Sequence, residues 1–523
     1  MKTKTTPKRL SGWYRSLKAF GHPRVATMLF FGFSAGVPIL LIFSSLSLWL
    51  REAGVERSAV TFFSWAALGY SFKFVWAPLV DQMPVPFLTK VFGRRRGWIL
   101  TAQAGIITAI LWMAMTDPAS GQNQLVVMAM AAVLLGFSSA TQDIVIDAYR
   151  IESAGEELQA MMASAYIAGY RIGMLAAGAG ALFLADIFGS SKGAYNYGAW
   201  QTTYWIMAGV MAVGVATALI IKEPEVEGEI SRDYGTTAYL RSFLLFVVAA
   251  AGFVLWFSLT AVPAAEVKAM LGDWVANRHL AGFAVAALRL GGGIGTAVGI
   301  ARLLTALGVV DREMVRASYV EPVSDFFNRY GGSLAWLLLA LIGLYRISDI
   351  VLGVISNVFY QDLGFSKTQI AGVVKTFGLL MTIAGGFLGG ILSLKYGVIR
   401  ILFAGALLSS LTNVLFVVMA ETGPSLPMLY LVISADNLAA GLASAAFVAF
   451  LSSLTSIRFT AMQYAVFSSL MTLIPKGFSG YSGSIVDALG YPAFFMITAV
   501  MGLPVLVLVR LCGRHLKPGP EDQ

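Results

Sequence analysis

The sequence predicts an all-α polytopic membrane protein, with two six-helix halves plus a two-helix insertion making 14 membrane-spanning helices. Three observations carry that prediction. The 523 residues are 57% hydrophobic and only 12% charged, with a mean hydropathy of +0.74; soluble domains carry roughly 25% charged residues. Apolar stretches recur along nearly the whole chain, each close to the ~20 residues that cross hydrocarbon. The second half of the chain also repeats the first.

Composition excludes several chemistries. The net charge of +9 marks Lys and Arg gathered in cytoplasmic loops, so no nucleic-acid partner is implied. The one cysteine, Cys512, permits neither a disulfide framework nor a thiolate metal site. His22, His279 and His515 all fall outside the apolar stretches. An intramembrane enzyme would therefore lack a histidine or cysteine to act as nucleophile or base. No enzymatic activity, cofactor or metal is expected. The basic start, Lys2 to Arg24, precedes a span too long for a signal sequence, so no cleavable leader is expected.

The expected helices run 26–50, 58–80, 97–115, 124–148, 159–186, 200–222, 238–262, 281–309, 333–358, 367–391, 397–420, 427–452, 461–484 and 490–512. Seven Lys/Arg precede the first span, Lys90 and Arg94-Arg95-Arg96 follow the second, and Arg510, Arg514 and Lys517 lie in the tail. The loops 116–123, 421–426 and 485–489 carry none, which places both termini in the cytoplasm. The resulting organisation is a basic N-terminus (1–25), an N-terminal half (26–222), a linker (223–332) holding the two inserted helices, a C-terminal half (333–512) and a cytoplasmic tail (513–523). The inserted pair has few polar residues beyond Arg289 and is expected to be peripheral. Residues 310–332 read as a cytoplasmic linker ending at Gly331-Gly332.

The repeat is legible in two strings. Trp49-Leu50-Arg51-Glu52-Ala53-Gly54-Val55 parallels Phe359-Tyr360-Gln361-Asp362-Leu363-Gly364-Phe365 at an offset of 310. Ala160-Met161, Asp186 and Gly189 parallel Ala461-Met462, Asp487 and Gly490 at an offset of 301. The nine-residue difference fits one longer loop in the first half, at 81–97. Two six-helix halves repeated in parallel are the plan of a major facilitator fold, which binds its substrate between the halves near the midplane.

The fourth span departs most from lipid-like composition. Gln142-Asp143-Ile144-Val145-Ile146-Asp147 places Asp143 and Asp147 four residues apart on one helical face. A carboxylate inside a bilayer costs roughly 2.5–3.5 kcal/mol on insertion scales, so it requires a wet cavity, a partner or a proton. The plainer reading makes Asp147, with Tyr149 and Arg150, the wet end of the helix. The functional reading makes Asp143, with Asp147, a proton acceptor loaded on one side and emptied on the other. The matching stretch of the second half, Ser444-Ala445-Ala446-Phe447-Val448, has no acid, so proton handling is expected in the N-terminal half.

Pro78-Leu79-Val80-Asp81 followed by Gly93-Arg94-Arg95-Arg96-Gly97 sets an acid at a helix end near an arginine cluster. Such a pair can latch two helices in one state and release them in another, so Asp81, Arg94, Arg95 and Arg96 are gating candidates; plain positive-inside anchoring is the alternative. The second half keeps Gly389-Gly390, Gly397 and Arg400 without the acid, and the latch is expected to be asymmetric. Five intramembrane cations, Lys73, Arg171, Arg346, Lys375 and Lys476, face four acids, Asp143, Asp147, Asp349 and Asp436. An anionic substrate would balance the excess, and the arginine fork suits carboxylate; internal salt bridges are the plainer account for some. Arg346 and Asp349, three apart, can pair locally. Trp65, Tyr70, Trp76, Tyr166, Tyr170 and Tyr345 could pack sugar faces, whereas Trp49 and Trp98 suit interfacial anchors. Gly169, Gly173, Gly178 and Gly180 suit close helix packing first and hinges second.

Together these strings resemble the AmpG-type muropeptide permeases of Gram-negative bacteria. The resemblance covers the twelve helices of the two halves. It rests on Ala77-Pro78-Leu79-Val80-Asp81, Gly93-Arg94-Arg95-Arg96-Gly97-Trp98, Ser139-Ala140-Thr141-Gln142-Asp143-Ile144-Val145-Ile146-Asp147-Ala148, and Gly169-Tyr170-Arg171-Ile172-Gly173. In the second half it continues through Leu344-Tyr345-Arg346-Ile347-Ser348-Asp349, Val374-Lys375-Thr376-Phe377-Gly378, Asn437 and Ala461-Met462-Gln463-Tyr464-Ala465. It implies proton-gradient-driven import of N-acetylglucosaminyl-anhydro-N-acetylmuramic acid, with or without peptide, across the bacterial inner membrane by a monomer. Its partners would be an anionic sugar-peptide, protons and the lipid bilayer. Lys73, Arg171, Arg346 and Lys375 would meet substrate charge, and Gln142, Tyr170, Asn437 and Gln463 would hydrogen-bond sugar or peptide. Tyr345 and Asp349 complete the expected binding set. In enterobacterial members the two extra helices follow the second half; here they fall between the halves. Acetyl-CoA transporters of the same superfamily are the nearest rival reading.

Overall fold

The computed structural model describes residues 21–55, 70, 72–191, 193–225, 235–275, 278–366, 369–479 and 482–516. The basic start up to Lys18, Trp65 and most of the expected second span, Lys517 and much of the 223–237 stretch lie outside the described residues. Among the described residues, 12 helices are long and apolar enough to cross a membrane. The expected spans 58–80 and 461–484 both include undescribed positions.

The N-terminal half holds α1 (Pro23–Glu52), α2 (Ala77–Gln82), α3 (Arg94–Ala114), α4 (Gln122–Ser153), α5 (Leu158–Ile187) and α6 (Tyr197–Ile220). The inserted segment holds α7 (Thr236–Leu259), α8 (Ala261–Val275) and α9 (Arg278–Ala306). The C-terminal half holds α10 (Glu321–Leu344), α11 (Ile347–Asp362), α12 (Gly378–Tyr396), α13 (Val398–Thr422), α14 (Leu426–Leu454), α15 (Thr460–Ser479) and α16 (Ile485–His515). The chain clusters into two compact units. One comprises Met1–Val80, Pro84–Gly228 and Tyr330–Gln523, and so holds both halves; the other comprises Asp81–Met83 and Glu229–Arg329.

Glycines let α1 and α5 meet backbone to backbone. A Cβ at Gly32 would lie 2.1 Å from the Tyr166 carbonyl oxygen, and one at Gly169 would lie 1.9 Å from that of Leu29. No larger residue permits that approach, which is how helices associate where lipid removes the hydrophobic drive. Gly173 meets Phe33 in the same way, Gly178 faces the Leu40 side chain, and the stretch Ala176–Gly180 widens into a π turn. Gly385 and Gly441 bring α12 and α14 together similarly.

The two halves reproduce each other at atomic detail. At the end of α1, Gly54 has φ 82° and the Val55 N–H donates back to Leu50 O at 2.9 Å; at the end of α11, Gly364 has φ 102° and Phe365 N–H donates to Tyr360 O at 3.1 Å. Both are glycine-terminated helix ends with a buried apolar residue following. Beyond them Glu52 accepts from Ser190 Oγ at 2.7 Å and Trp200 Nε1 at 2.8 Å, while Asp362 accepts from the Tyr491 hydroxyl. Trp49, offered above as an interfacial anchor, is fully buried and stacks on Trp200 at 5.6 Å.

Within the inserted unit, α9 packs on α7 and α8. Arg289 reaches Phe257 O at 2.6 Å and Thr260 Oγ1 at 3.3 Å, and its guanidinium lies 4.8 Å from the Phe257 ring. The expected linker 310–332 is helical, and Gly331 breaks it with φ 73° and ψ 160°. A second break follows at Tyr345–Arg346, where α10 stops and α11 begins.

Candidate functional site

On α4, Asp143 and Asp147 are both buried. Asp147 lies 3.6 Å from Lys73 Nζ and 3.4 Å from Arg150 Nη2. Asp143 accepts from the Tyr166 hydroxyl of α5 at 3.3 Å and feels the charge of Lys73. Two cations and two carboxylates therefore lie together, with the Tyr166 hydroxyl on Asp143 and further aromatic groups bonded to the same helix. The Tyr70 hydroxyl donates to Ser139 Oγ at 2.5 Å, and the Trp76 indole donates to Thr141 Oγ1 at 3.1 Å. Tyr170 pairs with Tyr166, ring centres 6.1 Å apart. Gln142 is fully buried, and among the described residues neither amide atom has a hydrogen-bond partner.

The arginine loop connects the halves. Arg95 grips Glu152 with two nitrogens, at 2.9 Å and 2.5 Å, and reaches Thr460 Oγ1 of α15 at 2.9 Å. Thr460 in turn donates to Glu152. Arg150 donates to Ser452 Oγ of α14 at 2.7 Å and lies 5.2 Å from the Tyr464 ring. Ser164 of α5 donates to Gly386 O of α12 at 2.8 Å. Arg96 serves a different purpose. It caps the end of α6 through Ala218 O and Leu219 O, while Glu223 caps the start of α3 through the backbone N–H groups of Arg95 and Arg96. Burial pushes the Glu223 carboxyl above its usual value and those two N–H groups pull it back down. Asp81 is buried and belongs to the unit that holds the inserted helices. Arg94 starts α3.

In the C-terminal half, Arg346 sits at the break between α10 and α11. It donates to Ser444 Oγ at 2.9 Å and lies 3.4 Å from Asp349. Asp436 accepts from Thr412 at 3.4 Å and feels Asp349 and Arg346. Tyr345 is buried: its hydroxyl donates to Leu402 O at 2.9 Å and its ring stacks on Phe447. Asn437 accepts from Thr382 and donates to Ile433 O, so its amide joins α12 to α14. Gln463 accepts the Ser456 N–H at 2.8 Å and shapes the turn into α15. Lys375, in the π turn Ile370–Phe377, donates to Asn357 at 2.9 Å. The structure thus gathers Asp143, Asp147, Lys73 and Tyr170 at α4–α5 and Arg346 with Asp349 at the α10–α11 break, and puts Gln463 and Arg96 in other surroundings.

Sequence reasoning missed Glu152, Thr460 and Glu223. Glu152 carried a signal: an acid two residues past Arg150, at the end of an apolar helix, requires a partner.

The Major Facilitator Superfamily family model matches residues 25–312 and 335–523. The chain belongs to the major facilitator superfamily. It is a permease of that superfamily and not an enzyme. The anhydromuropeptide permease of Escherichia coli K12 is 28% identical over 502 residues, covering 96% of this chain and 82% of that protein. A transporter named AmpG 4 in Rickettsia felis is 28% identical over 492 residues, covering 94% and 97%. Among solved structures, the Escherichia coli fucose:proton symporter FucP aligns with a TM-score of 0.57 at 10% identity over 95% and 99% of the two chains. The proton:xylose symporter XylE aligns at 0.53 and 13%, covering 96% of each. Those two establish the fold. The AmpG-type resemblance spans nearly the whole chain.

Proposed function

We propose that this permease imports muropeptides, N-acetylglucosaminyl-anhydro-N-acetylmuramic acid with or without peptide, from periplasm to cytoplasm, driven by protons. The observation that carries the reading is the α4 set: Asp143 and Asp147 beside Lys73, Arg150 and Tyr166 at membrane depth. Ionised, the four charges cancel. A proton taken by Asp143 leaves the set with one positive charge, which an anionic cargo offsets, so proton and cargo favour each other's presence. The names of the curated relatives supply the cargo class. The end carrying Arg94–Arg96 is then cytoplasmic, both termini with it, and the halves rock about the site in a monomer. Arg171, Arg346 and Lys375 meet the charge of the cargo, while Gln142, with its unpartnered amide, and Tyr170 meet its hydroxyl and amide groups.

The test is Asp143→Asn in proteoliposomes supplied from outside with labelled anhydro-disaccharide. Gradient-driven accumulation should vanish while exchange persists. Unchanged proton-dependent uptake would remove Asp143 from the coupling. A strain lacking the protein should release anhydro-muropeptides into its medium; a clean medium would overturn the cargo.

A further inference from the structure

Arg171 on α5 makes no hydrogen bond or ion pair among the described residues, and its charged neighbour is another cation. The guanidinium of Arg346, from the opposite half, lies close enough to repel it. The surroundings exclude a simple surface origin for this. Arg171 follows Tyr170, which pairs with Tyr166 above Asp143, and the helix carrying both packs on α12 and α14 of the other half. Arg346 is held by Ser444 of that same α14. Among the described residues its Nε has no hydrogen-bond partner, and it lies 3.4 Å from Asp349. The chain breaks there: Arg346 has φ −98° and ψ 10°, between α10 and α11. Interrupted membrane helices at the meeting of two repeats are where transporters hold charged cargo.

We propose that Arg171 and Arg346 form one anion site, divided between the halves, that takes a single carboxylate of the cargo and thereby draws the halves together. The inference deepens the muropeptide reading and rests on it for the identity of the cargo. Arg346 has Asp349 at 3.4 Å and Asp436 in the same half, whereas Arg171 has no carboxylate partner among the described residues, and one carboxylate of the cargo supplies it. Two guanidinium forks can each engage that carboxylate, a geometry an ammonium or an amide cannot reproduce. Without the anion the two cations push their helices apart. With it they are bridged, so only a cargo bearing an acid closes the passage efficiently.

The experiment compares uptake of labelled anhydro-disaccharide, whose lactyl group is a free carboxylate, with that of its carboxamide in proteoliposomes. The wild-type protein should prefer the acid at least tenfold. Arg171→Gln and Arg346→Gln should each lose at least tenfold on the acid, bringing the acid-to-amide ratio toward one. Monodisperse elution in detergent, matching the wild type, certifies that the variants fold. Arg171→Lys should recover part of the acid preference. Equal uptake of acid and amide by the wild type overturns the anion site and leaves the cargo reading intact. Rejection of both sugars, with acetyl-CoA accepted and the same arginines required, overturns the cargo and the carboxylate, since the anionic groups of acetyl-CoA are phosphates. Rejection of all three overturns both.

Discussion

The two ends of the helical halves are built on opposite principles. At the basic end the ties run between halves: Arg95 and Glu152 to Thr460, Arg150 to Ser452, Ser164 to Gly386. At the other end each half fastens its own helices to one another, α1 to α6 through Glu52 and Trp200 and α11 to α16 through Asp362 and Tyr491. On the proposed rocking of the halves, the difference teaches which contacts change. The Glu52 and Asp362 clusters travel with their halves as rigid pieces, whereas the Arg95, Arg150 and Ser164 contacts must part each time the basic end opens.

The largest break should come from Glu152→Ala, which strands a buried guanidinium. Losing one member of a buried pair costs about 3–5 kcal/mol. Thermal unfolding in detergent should fall accordingly, and an unchanged midpoint would mean that Arg95 finds another partner. A second variant sharpens the comparison. With Ala160→Cys as reporter at the buried meeting of α5 and α12, beside Gly390, Glu152→Gln should raise thiol labelling from the basic end. A rise of about tenfold corresponds to 1.4 kcal/mol between states. Flat labelling would show that the latch does not bias opening. Ser452→Ala removes one charge-assisted hydrogen bond and should cost about 1.5–3 kcal/mol, with a smaller rise. The smallest effect belongs to Glu52→Gln. It should lose roughly 0.5–1.5 kcal/mol of stability and leave labelling at Ala160→Cys where it was; a rise there would contradict the independence of the ends.

Why some of this was legible in advance follows from distance along the chain. The repeat could be read because Gly54 and Gly364 end their helices by local rules, with the partners only a few residues away. Asp143 and Asp147 share a face for the same reason. Arg95 meeting Thr460, or Arg150 meeting Ser452, joins residues over 300 positions apart, and no local pattern encodes them. Tyr345 and Gln463 illustrate the converse: their residue types suit a sugar site, but the structure engages them with Leu402 O and the Ser456 N–H. Composition reports what a side chain is able to do and leaves open which neighbour claims it.

The widened turns in α1 and α5 have a consequence for how this half tolerates change. Leu41–Ser45 and Ala176–Gly180 face each other, with Ser45 Oγ donating to Ala177 O at 2.8 Å and the Tyr204 hydroxyl donating to Leu41 O at 3.1 Å. Each such turn accommodates one surplus residue in its helix. Removing that residue from α1 alone would rotate everything beyond it by about 100°, since 3.6 residues make a turn, and swing Trp49 out of its stack with Trp200. Matched removals from both helices would preserve their mutual alignment, so single-residue insertions and deletions in these two segments, 132 positions apart, should be accepted only as pairs.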